Sequence, residues 1–175
     1  HRTPTVAERV EAAWRALGLA PGEDGLVELL SRMEVDILPR LVPGMGEALE
    51  ALAGRYRLGI VSDAIVTPGV GLREILRAHG VMGYFSAAVF SDEVGASKPS
   101  PVVFRAAADG LGVAPGELVH VGDRESNDVL GPRAVGARAV LITAAVDRGS
   151  EGTVADAVCR DAAELPGILA DLEGR

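Results

Sequence analysis

Three short stretches hold the polar residues able to do chemistry. "IVSD" ends in Ser62 and Asp63, "FSDEVGASKP" carries Ser91, Asp92, Glu93 and Lys98, and "HVGDRESND" carries Asp123, Asn127 and Asp128. Each stretch follows an apolar run, and a fourth run, "RAVLIT", ends in Thr143. Carboxylates gathered at one place repel one another, so a lysine or Mg²⁺ must relieve them. Mg²⁺ takes hard oxygen ligands and keeps several waters, so one or two carboxylates plus a phosphate oxygen make a natural shell. A serine hydroxyl next to backbone N–H groups at a helix start holds phosphate. A lysine adds a point charge where phosphoryl transfer builds negative charge. The set therefore reads as phosphate plus magnesium.

Each of these residues also has an ordinary reading by itself. Ser62 could cap a following helix. Lys98, whose backbone Pro99 pushes toward an extended form, could be a solvated loop lysine. Asp123 could open a turn after Gly122, and Asp128 could favour the dipole of a first helical turn. Their order after successive strands gives the chemical reading its weight.

The residues share one edge only if the apolar runs are parallel strands. Runs at 56–63, 87–93, 117–123 and 138–143, with a short fifth at 156–161, alternate with helical patterns at 70–78, 100–110, 126–135 and 161–172. That alternation is the signature of right-handed βαβ crossovers, and such sheets bind ligands beyond the carboxyl ends of their strands. The spacing predicts an α/β fold, a Rossmann-like parallel sheet sandwiched by helices. The first part is different. Helices are expected at 4–19, from Asp24 toward Met33, and at 44–53, with Pro39 and Pro43 in a connection. Thr3-Pro4 is a plausible start for the first of these, which sets Val6, Val10, Trp14 and Leu17 on one face. Trp14 reads as core packing.

Composition narrows the function. The chain has 175 residues, 48% of them hydrophobic but only 3% aromatic, so the core is aliphatic, which suits parallel strands under helices. The net charge of −8, with no basic block, argues against a nucleic-acid surface. No apolar run approaches the ~20 residues of a membrane span, and no signal-peptide pattern is present. A cytoplasmic protein with no membrane partner is the expectation. The single cysteine, Cys159, reads as a small buried apolar residue.

From about Pro43 to its end the chain resembles the haloacid dehalogenase-like (HAD) superfamily of hydrolases, in the branch with a helical cap. "VPGMGEALEALAGRYRLGIVSDA" resembles the return from the cap into the second motif, with Ser62 as the phosphate-binding hydroxyl and Asp63 beside it. "VFSDEVGASKPSPVVFRAAADGLGV" resembles the third motif, with Lys98 as the lysine bridging phosphate and nucleophile. "HVGDRESNDVLGPRAVGARAVLI" resembles the fourth, with Asp123 and Asp128 as the metal acids, Asp128 in support. The resemblance implies a helical cap segment at 1–42 and an α/β core at 43–175. It also implies Mg²⁺-dependent hydrolysis of a small phosphorylated metabolite, with Ser62 and Lys98 in catalytic roles. The retained acids favour phosphate chemistry over dehalogenation. Arg124 departs from the small hydroxyl residue often found there and receives no role. Trp14, Arg15 and Arg32 are candidate substrate contacts from the cap.

One part of the family pattern is missing. The nucleophilic aspartate belongs to a DxD motif at the end of a first strand, and neither Asp24 nor Asp36 fits it. By resemblance that strand lies at the sheet's centre, between the strands of Ser62 and Asp123. The chain opens with His1, so the expectation is a nucleophile-bearing strand upstream of residue 1 and no activity in the 175-residue chain itself. The main alternative is a HAD-like binding or regulatory domain without a nucleophile, as a homodimer or with a strand-donating partner. A third is another HAD chemistry, such as phosphonate hydrolysis or dehalogenation.

Overall fold

The computed structural model describes residues 3–20 and 25–174. Helix α1 (Val6–Ala16) starts at Thr5 rather than at the expected Thr3-Pro4. Thr5 Oγ1 accepts from the Glu8 N–H, and the Thr5 N–H donates to the Glu8 carboxylate, a reciprocal cap. Val6 and Val10 are buried and Trp14 is half-buried, but Leu17 lies 70% exposed, so the apolar face closes over its first turns only. The expected start of the second helix at Asp24 falls outside the described residues. Helix α2 (Leu26–Asp36) packs on α1 and on α4 (Gly69–Ala78). Contact with α4 is close because Gly71 has no side chain; a Cβ there would come within 3.1 Å of Val35 Cγ2 on α2. Thr67 Oγ1 also donates to Glu34 Oε2 at 2.5 Å. Helix α3 (Met45–Ala53) follows the two prolines.

The strands are parallel, as expected. Strand β1 (Leu58–Ser62) pairs with β2 (Phe85–Phe90), Ser62 opposite Phe90. Strand β2 begins and ends earlier than the predicted 87–93. Ser91, Asp92 and Glu93 instead form the helical turn α5 (Ser91–Val94), where the buried Ser91 Oγ accepts from the Ala64 N–H. That bond ties the chain after β1 to the chain after β2. Helix α6 (Pro101–Leu111) is capped by Ser100, with proline at its first position. Strands β3 (Val119–Gly122), β4 (Arg138–Ile142) and β5 (Ala157–Cys159) form a second parallel set. Between β3 and β4 lie a π-helical segment at Glu125–Leu130 and the short α7 (Gly131–Arg133). The last helix, α8 (Leu165–Glu173), starts later than the predicted 161, because Asp161 caps a separate short turn.

Cys159 is buried with Leu52, Val140, Leu165 and Leu172, as its small apolar character predicts. A second cluster, Val89, Val103, Phe104 and Ala107, packs α6 on β2. Among the described residues, no helix is long and apolar enough to cross a membrane.

The sheet is divided. Among the described residues β1 pairs with β2 and β3 with β4, but β1 and β3 do not pair with each other. Both border a cavity of about 800 Å³, lined by Leu58, Ile60 and Val61 of β1 and by Val119 and Val121 of β3. A strand of five residues, about 17 Å long and about 4.8 Å from each neighbour in a layer about 10 Å deep, takes up roughly that volume.

Candidate active site

The carboxyl ends of β1, β2 and β3 meet on one side of the molecule, and the bonds across them centre on Asp128. The π-helical segment turns Asp128 back over β3 and directly onto Gly122; a Cβ at residue 122 would lie 2.5 Å from Asp128 Cβ. Here glycine is required by close approach. With Asp128 lodged there, Arg124 N–H donates to its Oδ2 at 3.1 Å, and Lys98 Nζ donates to its Oδ1 at 2.7 Å. His120 Nε2 stands 3.0 Å from the same Oδ1. A carboxylate only accepts, so Nε2 carries the proton in that bond. The His120 ring also meets Phe104 edge to face, with centroids 5.2 Å apart, which fixes its plane.

These contacts set the electrostatics. Burial by itself would raise the Asp128 carboxyl, and it is the largest single influence. The His120 hydrogen bond and the Lys98 charge together outweigh it and hold the group down at about 2. Asp128 is therefore an anion throughout the working range, and Lys98 is a cation held in place by it. The Lys98 side chain keeps 14% of its exposure, so the ammonium is fixed but reachable.

Asp63 forms the second tie. Its Oδ1 accepts from the Lys98 backbone N–H at 2.9 Å, across a loop whose Lys98–Pro99 peptide bond is cis. Its Oδ2 faces Asn127 Nδ2 at 3.4 Å. Asp63, Lys98, Asn127 and Asp128 thus form one bonded network from three strand ends. Ser62, half-buried, is next to it at the last position of β1.

Asp123 stands outside the network. Its side chain is 41% exposed, and its Oδ2 accepts from Arg148 Nε at 2.6 Å. Thr143, the residue after β4, is bonded to Cys159 O through its N–H at 2.8 Å, which secures β5 rather than the site. Of the cap candidates, Arg15 pairs with Glu11 and Arg32 with Asp36 and Glu74. His120, Arg148 and Glu125 were not anticipated from the sequence. Glu125 accepts from Thr153 Oγ1 and from the Val154 N–H, and so anchors the loop that carries Arg148.

Among the described residues no three of His, Cys, Asp and Glu converge closely enough to hold a metal ion. Asp123 does suit Mg²⁺ as a single ligand, since it is a hard, half-exposed carboxylate at a strand end and Mg²⁺ keeps waters in its other positions. Asp128 already accepts from Lys98, His120 and Arg124.

Residues 5–136 match the family described as haloacid dehalogenase-like hydrolase. A phosphoserine phosphatase of Thermus thermophilus is 43% identical over 112 residues, which is 63% of this chain and 43% of that protein. A glyceraldehyde 3-phosphate phosphatase of Methanopyrus kandleri is 40% identical over 94 residues, 54% of this chain and 37% of that protein. The chain thus spans less than half the length of these two relatives. The crystal structure of a HAD phosphatase from Thermococcus onnurineus superposes with a TM-score of 0.70 at 35% identity, covering 91% of this chain and 69% of that one.

Proposed function

Because the chain belongs to the haloacid dehalogenase-like hydrolase family, we propose that it supplies the phosphate- and metal-holding side of a Mg²⁺-dependent phosphomonoester hydrolase acting on a small phosphorylated metabolite. The observation that carries this reading is the fixed ammonium of Lys98, 2.7 Å from the buried Asp128, on a backbone tied to Asp63 at the end of the Ser62 strand. In it, Lys98 donates to a phosphoryl oxygen and balances the charge that grows during transfer, while Ser62 donates its hydroxyl to another. Asp63 holds the Lys98 backbone at the right height. Asp123 would hold Mg²⁺, with Asp128 in support. When bound there, Mg²⁺ polarises the phosphoryl group. Residues 1–42 act as the cap and 43–175 as the core, and a cytoplasmic location belongs to the same reading.

The attacking carboxylate is not among the residues gathered at this site. We assign it to a strand that fills the cavity between β1 and β3, where two facing strand edges bound a strand-sized, largely apolar space. Relatives named as phosphatases support the phosphate assignment. The 175-residue chain alone is expected not to turn over p-nitrophenyl phosphate with Mg²⁺. Turnover by this chain that vanishes in Asp123→Asn would place the nucleophile within it and overturn the assignment.

A further inference from the structure

Two sets of hydrogen bonds shape the loop 143–156 between β4 and β5, one within the loop and one to Glu125. In the first, the Asp147 carboxylate accepts from Gly149 N, Ser150 N and Ser150 Oγ at 2.9, 2.8 and 2.7 Å. In the second, Glu125 takes Thr153 Oγ1 at 2.5 Å and Val154 N at 3.1 Å. Glu125 is two residues from Asp123, so this second tie draws the loop onto the end of β3. Between the ties, Arg148 reaches in and its Nε donates to Asp123 Oδ2 at 2.6 Å. A guanidinium therefore sits on a half-exposed carboxylate at the end of β3.

We propose that Arg148 is a built-in counter-ion of Asp123, which a divalent cation must displace. The inference rests on the reading of Asp123 as the metal-holding carboxylate. Two cations on one carboxylate repel each other, and Arg148 already uses the oxygen that faces the loop. Metal entry therefore frees the guanidinium, and the loop ties keep it within reach of an anionic ligand at the same edge. Arg148 becomes a positioning residue that links metal occupancy to anion binding.

The test uses Mn²⁺ with the full 175-residue chain, read by paramagnetic broadening of the Asp123 and Arg124 amide signals. Broadening should saturate with added Mn²⁺ and disappear in Asp123→Asn. Arg148→Gln should tighten Mn²⁺ by about five-fold, the scale of an exposed ion pair. Arg148→Glu, which puts a second hard oxygen in the same place, should tighten it more. Arg148 is half-exposed, so Arg148→Gln should keep the wild-type melting temperature. Equal affinity in wild type and Arg148→Gln overturns the proposal. So does broadening that survives Asp123→Asn, or no broadening even in Arg148→Glu. Tightening in Arg148→Gln without any phosphate binding would uphold the counter-ion and sink the phosphatase reading instead. Phosphate binding with no change in Mn²⁺ affinity would do the reverse.

Discussion

The surroundings of Asp128 and of Asp123, five residues apart, put the two carboxylates to opposite uses. The Asp128 side chain is 3% exposed and takes hydrogen bonds from a lysine, a histidine and a backbone amide. The Asp123 side chain is 41% exposed and meets one arginine on a loop. Both acids belong to the same short motif. The buried one builds the site, by holding Lys98 still. The exposed one stays half-open to solvent, with a single arginine on it. A pair of acids close in sequence thus need not be a pair of ligands; burial and the number of donors decide which is scaffold.

The contrast is broken most severely by removing the scaffold acid. Asp128→Ala leaves the partly buried Lys98 ammonium without its anion, and chemical denaturation should show a loss of about 3 kcal/mol or more. Gly122→Ala acts on the same acid from the other side. Its new Cβ collides with Asp128, and the denaturation midpoint should fall by the equivalent of about 2–3 kcal/mol. Acid reads the pair by its charge. The Asp128 carboxyl is held at about 2 in the folded chain, below its ordinary value of about 3.9. Its ionised form therefore contributes stability that is fully present above about pH 4 and is lost as pH falls toward about 2, worth about 2 kcal/mol. Asp128→Asn should flatten that part of the stability–pH curve. Asp123→Asn is the smallest change in stability, within about 0.5 kcal/mol, yet it should abolish Mn²⁺ binding at the strand end. A large destabilisation by Asp123→Asn would erase the distinction between the two acids.

Much of the frame was legible in the sequence, because short apolar runs ending in polar residues mark buried parallel strands. Ser62, Lys98 and Asp123 were singled out by their order after those runs. Some local features were missed although their signals were present. "TVAE" is a capping box that places the first helix start at Thr5, not Thr3. His120 is a polar residue inside an apolar strand, and such a residue needs a buried partner; Asp128 is that partner. The turn at Ser91 was hidden because "AAVFSDE" reads as strand up to the point where Ser91 bonds to Ala64, a contact made across 27 residues. Arg148 had no local signal. Its meaning comes from Asp123, 25 residues earlier, and from the Glu125 tie that brings the loop there.

The central claim is that Lys98 is a fixed cation presented to a phosphate. Titration calorimetry of orthophosphate into the chain with Mg²⁺ present, for wild type and for Lys98→Ala, tests it most directly. Saturable binding by the wild type, weakened at least about ten-fold in Lys98→Ala as expected for a lost charge-assisted hydrogen bond, is the predicted result. Equal binding by both proteins, or no binding by the wild type, would contradict it.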